Sequence, residues 1–291
     1  MTMRVSFYGV RGSIATAGDA TRRYGGNTSC VAVEVAGEQL IFDAGTGIRS
    51  LGSDLARATG AGRVHANLFF SHLHWDHIQG FPFFGPAYVP GNRVDVWHVR
   101  GGDEANAREV LSAQMKPPTF PVGIDAMAGD LCFHELDHGQ IVRVGEARLR
   151  HTSVDHPNGC VAWRVEHEGR AIVYATDLEL DPGALPPELV ELCRGADLLI
   201  FDAMYTPEEY AGVGGPSRRG WGHSTFEAGA ALAEAAGVAE LCLFHHDPNH
   251  DDGFMDALGA RARRRFRSTI VAQEGMVLAI GESLAARSVA A

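Results

Sequence analysis

The sequence predicts an α/β fold in which two sheets lie between layers of helices. Short runs of β-favouring apolar residues recur along the chain and read as buried strands. Capped or amphipathic segments separate them and read as helices. Strand signals dominate both ends of the 291-residue chain, which suits two packed sheets punctuated by helices. A hydrophobic fraction of 45% and a charged fraction of 21% are those of a core-forming globular protein. There is no internal repeat, low-complexity tract or clear linker, so residues 1–282 read as a single domain. The Ala- and Ser-rich tail, 283–291, is expected to be mobile.

The elements follow in order. Met1 to Tyr8 reads as a first strand, because it lacks the long apolar stretch of a signal segment. Leu40-Ile41-Phe42 is a strand ending at Asp43, and Gly45 to Ala58 a loop then a helix. Leu68-Phe69-Phe70 ends at Ser71-His72. The Pro-, Phe- and Gly-rich segment Phe81 to Val122 is expected to form a pocket wall or a dimer contact, and carries a capped helix over Asp103–Met115. Cys160 to Val165 alternates like a strand, and Ile172 to Thr176 runs into Asp177. A short helix over Pro187–Cys193 precedes Leu198-Leu199-Ile200-Phe201, which ends at Asp202. Ser224 and Glu227 have capping-box spacing and predict a helix over 224–236. Leu241 to Phe244 ends at His245, and residues 256–267 form a last helix. Its Arg-rich end reads as a solvated face with cations near the helix C-terminus. Five strands thus end in polar residues, which places those residues on one rim of a sheet, where α/β proteins build sites.

The bulk numbers exclude several classes. The net charge of −11 argues against a broad nucleic-acid-binding face. Lysine occurs once, at Lys116, which disfavours Schiff-base chemistry. The five cysteines are scattered and unpaired in pattern, as in a reducing compartment. No apolar stretch is long enough to span a bilayer. A cytoplasmic setting and no membrane partner are therefore expected. The glycines of Gly45-Thr46-Gly47 lack any phosphate-loop spacing.

The richest stretch is Ser71-His72-Leu73-His74-Trp75-Asp76-His77. Imidazole and carboxylate are ligands that Zn²⁺ and similar divalent ions take, and no packing or capping argument needs four such groups together. His72 and His74, two apart in an extended segment, can face one ion. Asp76 and His77 follow a turn and can serve a second. With two acidic ligands nearby, two divalent ions are expected, Zn²⁺ first, with Mn²⁺ or Fe²⁺ allowed by the same donors.

The pattern His72-x-His74-x-Asp76-His77 resembles the signature of the metallo-β-lactamase-fold hydrolases. That resemblance runs from about residue 4 to 280 and implies a four-layer αββα sandwich of two mixed β-sheets. It also implies the remaining ligands. His156, before an alternating strand, matches the next histidine ligand, with His151 as its competitor. Asp177 matches a carboxylate bridging two ions, and His245 the final ligand. Asp43 is expected to be a buried carboxylate that orients a ligand from behind or ties down the Gly45-Thr46-Gly47 turn. His246 is expected to be a supporting or substrate-facing residue.

Gly220-Trp221-Gly222-His223-Ser224-Thr225 resembles a loop of the phosphodiesterase branch, which includes tRNA 3′-processing nucleases and cyclic phosphodiesterases. The resemblance gives His223 the role of general acid toward the leaving oxygen. The helix start after it is expected to seat a phosphate. His223 and Asp76 are the expected catalytic residues, Asp76 doubling as a metal ligand. Gly9-Val10-Arg11-Gly12-Ser13 and Tyr24 to Cys30 resemble loops of small bacterial members of the branch, so Arg11 and Asn27 are candidate substrate contacts. The acidic chain lacks a long basic arm, so a small phosphodiester such as a cyclic nucleotide is expected and tRNA is not. A lactonase or thioesterase on the same metal site, a redox di-iron protein and a metal-stabilised non-catalytic module are the alternatives. The sequence is silent on oligomeric state, with a homodimer suggested only because related proteins are often dimers.

Overall fold

The computed structural model describes residues 3–60, 62–100 and 106–281. Within them the chain forms two seven-stranded sheets packed face to face. The first sheet takes β1 (Met3–Gly9), β2 (Cys30–Val35), β3 (Glu38–Phe42), β4 (His65–Phe69), β5 (Arg93–Val99) and β6 (Asp130–Leu136). The second takes β7 (Val142–Val144), β8 (Ala147–Val154), β9 (Cys160–His167), β10 (Arg170–Ala175), β11 (Leu198–Asp202), β12 (Leu241–Phe244) and β13 (Thr269–Val271). The last strand, β14 (Val277–Ile280), returns to pair with β1.

Each sheet is half antiparallel and half parallel. β1, β2 and β3 pair antiparallel, while β3, β4, β5 and β6 run parallel. In the second sheet β7, β8, β9 and β10 pair antiparallel, and β10 to β13 run parallel. The mixed sheets predicted by resemblance are therefore present. Parallel strands are what bring several C-terminal strand ends to one rim, because parallel neighbours finish on the same side.

Three apolar clusters make the layers. One lies between the sheets, with Phe7, Phe42, Phe69, Trp163, Tyr174 and Phe244 at its centre. A second packs the back of the second sheet against α4 (Pro187–Cys193), α6 (Phe226–Ala236) and α7 (Asp252–Arg265). A third covers the first sheet with α1 (Ile48–Thr59) and α3 (Ala107–Gln114). Two short helices, α2 (Trp75–Ile78) and α5 (Pro207–Ala211), sit in the loops at the rim.

Some local expectations shift. Asn106 caps α3 by a capping box with Glu109, and Asp103 lies outside the described residues. The last helix begins at Asp252, earlier than expected, because the Asp251 side chain accepts from Phe254 N and supplies the cap. β5 was not expected inside the Pro- and Phe-rich segment. Its edge residues alternate less cleanly because a parallel strand is covered on both faces. The basic end of α7 is a helix face with ion pairs, Arg261 to Glu208 and Arg265 to Glu234. The tail from 283 lies outside the described residues.

The Ser224–Glu227 capping box does not form. Thr225 is the N-cap of α6, accepting from Ala228 N at 3.3 Å. Ser224 is held elsewhere: its hydroxyl donates to Leu178 O at 2.6 Å and accepts from Leu180 N at 3.0 Å. The helix start is buried, with Ser224, Thr225 and Phe226 all almost inaccessible. It therefore offers no open phosphate seat of the kind expected.

Candidate metal centre and active site

Six strand ends supply the rim: Asp43 after β3, Ser71-His72 after β4, His156 after β8, Asp177 after β10, Asp202 at the end of β11 and His245 after β12. Asp43, Asp177 and His245 all have positive φ, at 62°, 53° and 59°. Such backbone costs about 1 kcal/mol or more for a residue with a Cβ, and it persists where surrounding structure imposes it. Here it turns each side chain off the end of its strand toward a common centre.

The expected ligands converge as two adjoining groups, and Asp177, Asp202, His223 and His245 form a further group that overlaps the second. His72, His74 and His156 form one, and Asp76, His77, Asp177 and His245 the other, with ligand atoms in each group within 4.8 Å of one another. Asp177 lies between them, its Oδ1 3.9 Å from both His72 Nε2 and His156 Nε2, and 3.3 Å from His245 Nε2. The third histidine is His156. His151, the competitor, is turned away: its Nε2 accepts from Gly139 N at 3.2 Å and its ring packs on Trp163.

Groups behind the donors fix their orientation. Asp43, fully buried, accepts from Ser71 N, Ser71 Oγ, His77 Nδ1 and Tyr174 OH, each at 2.8 Å. Because Ser71 Oγ gives its proton to Asp43, it accepts from His72 Nδ1 at 3.0 Å. One carboxylate thus sets the tautomer of His77 directly and of His72 through a serine. His156 Nδ1 donates to Gly222 O at 2.7 Å, and His74 Nε2 to Asn158 Oδ1 at 3.2 Å. Ser13 N donates to Asp76 Oδ2 at 2.7 Å. The front nitrogens His72 Nε2 and His77 Nε2 are buried with no hydrogen-bond partner.

This arrangement fits two divalent cations. Buried polar atoms normally find partners, and here unpartnered nitrogens and carboxylates face one another without doing so. Burial keeps the His72 imidazole neutral, well below its ordinary range. Burial works against ionisation of Asp177, but the surrounding His245 and His77 outweigh it and hold its carboxyl well below the usual range. His72 and Asp177 are therefore in the charge state that binds cations. At His77 burial lowers the basicity, but the Asp177, Asp76 and Asp43 charges outweigh it and hold the imidazole well above its ordinary range, so a cation there takes the place of a proton.

His223 stands beside this centre. Its ring stacks on His245 at 5.0 Å and meets His156 edge-on at 5.3 Å. Its Nδ1 donates to Asp202 Oδ2 at 2.7 Å. Burial lowers its basicity, but the Asp202 charge and hydrogen bond outweigh this and push the imidazole up to about 9. The Asp202 charge and hydrogen bond thus favour the protonated form of His223. Sequence reasoning missed Asp202 as its partner, although Asp202 ends a strand in the recurring pattern. It also missed Ser13, Asn158 and Gly222.

Two candidate substrate contacts are not at the surface of the site. Arg11 is fully buried, with Nε on Gly25 O and Nη1 on Asp247 O and His250 O. It ties three loops together. His246 is likewise buried, its Nε2 donating to Ala272 O at 2.9 Å, and burial pushes it down to about 3. Both lie just past a strand end, joined by an isolated bridge, and their side chains are spent on backbone carbonyls inside the fold. Asn27 is half-buried and lines a cavity of about 810 Å³ with Trp75, Phe83 and Phe120. A second cavity, about 390 Å³, opens against His72 and His74 and is bounded by Val99 and Val110. The Phe81–Val122 segment does supply pocket wall.

The family described as "Beta-lactamase superfamily domain" matches residues 38–246. The chain belongs to this family. As a beta-lactamase superfamily protein it also aligns along its length with enzymes of the phosphodiesterase-like branch. A ribonuclease Z of Haloarcula marismortui is 28% identical over 324 residues, spanning 95% of this chain and 96% of that protein. The metallo-beta-lactamase fold protein YhfI of Bacillus subtilis superposes with a TM-score of 0.70 at 19% identity, over 96% of this chain and 99% of that one. Human short-form tRNase Z superposes with a TM-score of 0.65 at 19% identity, over 96% of this chain and all of that one (100%). These structures show the same fold.

The relatives correct one expectation. Acidity and the lack of a basic arm make a small phosphodiester the expected substrate in preference to tRNA, yet the full-length relatives of this beta-lactamase superfamily protein include ribonuclease Z enzymes. Net charge sums the whole surface, whereas a polyanion meets only the local field at the mouth of a site. An overall −11 is no ground for excluding it.

Proposed function

We propose that this metal-dependent hydrolase cleaves phosphodiesters, with His72, His74 and His156 at one cation, Asp76, His77 and His245 at the other, and Asp177 between them. The observation that carries the reading is His223 on Asp202, a protonated imidazole held against the donor cluster. Two divalent cations there, Zn²⁺ first, would polarise a phosphoryl oxygen and make hydroxide available near neutral pH. His223 then gives its proton to the leaving oxygen, and Asp202 holds the ring in the tautomer that presents Nε2 to it. Asp43 and Gly222 keep the donors in register. Asp76, anchored by Ser13 N, is positioned to orient the attacking oxygen.

A phosphodiester suits this acid because its leaving alkoxide is a poor leaving group without a proton. The alignment with ribonuclease Z relatives supports an RNA phosphodiester as the first substrate to test. A cyclic nucleotide is the second. Among the described residues no helix is long and apolar enough to cross a membrane. All five cysteines are free, which supports a cytoplasmic setting.

The test is turnover of a panel by wild type and His223→Ala, with metal content measured alongside. The panel holds a precursor tRNA, cyclic AMP, cyclic GMP, bis(p-nitrophenyl) phosphate, a lactone and a thioester. Phosphodiester turnover should fall at least 100-fold in the variant while bound metal is unchanged. Lactone or thioester turnover that is indifferent to His223 would overturn the reading.

A further inference from the structure

The loop before His223 carries a feature the hydrolytic reading leaves unused. Arg218 lies over the ring of Trp221 at 4.4 Å and over Tyr205 at 5.8 Å. Tyr205 meets the His223 ring edge-on at 5.9 Å. An unbroken series of ring contacts therefore runs from the acid to the surface, where Trp221 is 52% exposed.

Backbone hydrogen bonds hold the platform together. Trp221 N donates to Arg218 O at 3.2 Å, closing a turn, and Arg218 N donates to Tyr210 O. The Glu179 carboxylate clamps both sides of Trp221, accepting from Gly220 N at 2.8 Å and Gly222 N at 2.9 Å. It also accepts from Tyr210 OH at 2.7 Å. Among the described residues the guanidinium of Arg218 has neither a carboxylate nor a hydrogen-bond partner, and its neighbour Arg219 lies over Tyr210. A stacked guanidinium keeps its N–H edges free and pre-aimed, which is the arrangement that binds phosphate. An exposed indole beside it offers a face on which a base stacks. Trp221 is joined to the donor cluster through the next residue, Gly222, whose carbonyl accepts from His156 Nδ1 at 2.7 Å.

We propose that Arg218 and Trp221 form a nucleotide grip on the leaving-group side of the site. Trp221 stacks the base next to the scissile phosphodiester, and Arg218 pairs with the adjacent phosphate. The side follows from His223, which protonates the leaving oxygen and lies between the grip and the donor cluster. The inference rests on the phosphodiesterase reading for its substrate, but the grip can be tested without turnover.

The experiment measures the dissociation constant of a labelled phosphorothioate oligoribonucleotide by fluorescence anisotropy on the metal-loaded enzyme. Wild type, Trp221→Ala, Trp221→Phe, Arg218→Ala and Arg218→Lys are compared, with circular dichroism and metal content confirming each fold. Binding should weaken about 5- to 50-fold in Trp221→Ala and recover largely in Trp221→Phe. Arg218→Ala should weaken binding and flatten the salt dependence by about one unit of slope, which Arg218→Lys restores. In turnover, KM for a precursor RNA should rise with kcat little changed. Affinity that does not move in either alanine variant overturns the grip. Affinity that moves as expected in a protein that hydrolyses no phosphodiester would keep the grip and overturn the proposed reaction.

Discussion

His156 Nδ1 donates to the carbonyl of Gly222 at 2.7 Å, so the residue before His223 also sets the tautomer of a histidine in the donor cluster. The backbone there has φ +81°, and a Cβ on Gly222 would lie 2.4 Å from His156 Nδ1. One glycine couples the acid loop to the donor cluster. Gly222→Ala should therefore cost about 1 kcal/mol or more in backbone strain and displace His156. Metal titration would show a weakened first site, and thermal melting a lowered Tm. A variant with wild-type metal content and Tm would show that the coupling is slack.

Asp43 supports two histidines at once. Second-layer partners of this kind change metal affinity by about 10- to 100-fold. Asp43→Ala should show that loss by competition with a chromophoric chelator, and the Tyr174→Phe change, which removes one donor only, should lose much less.

The pH profile follows from His223. A general acid works only while protonated, and its imidazole is pushed up to about 9. The rate constant kcat/KM should therefore hold through neutral pH and fall as pH rises past about 9. Asp202→Asn keeps a partner for Nδ1 but removes the charge, so the alkaline fall should move toward the ordinary histidine range near 6.5. A profile whose alkaline limb ignores Asp202 would remove His223 from the acid role.

Chelation should lower stability as well as activity. Cations that bind the folded chain and not the unfolded one stabilise it by mass action, about 2.7 kcal/mol at a hundredfold excess over Kd. Dialysis against a chelator should abolish turnover and lower Tm, and re-adding Zn²⁺ or Mn²⁺ should restore both. A Tm indifferent to chelator would mean that the cluster holds no stabilising ion.

The helix start after His223 separates two readings of the same sequence. Ser224→Ala leaves Leu180 N without its partner and should cost about 1–3 kcal/mol in urea unfolding. Thr225→Ala removes the observed cap and should cost about 1 kcal/mol. Glu227→Ala, which the absent capping box would have made costly, should stay within about 0.5 kcal/mol.

The sequence by itself marked most of the candidate donors and their place at strand ends. His72, His74, Asp76 and His77 are contiguous, and Asp177 and His245 each close an apolar run, so residue type and strand end are read from neighbours one or two positions away. The same local pattern marked Asp43 as a residue behind the ligands. What only the tertiary structure decided involves partners far apart in the chain. His223 meets Asp202 across 21 positions, and Arg11 meets the His250 carbonyl across 239. The choice of His156 over His151, the turning inward of Arg11 and His246, and the transfer of the cap from Ser224 to Thr225 all depend on such contacts. Burial and hydrogen-bond satisfaction are properties of what surrounds a side chain in space, and for these residues that surrounding comes from elements the local sequence does not contain.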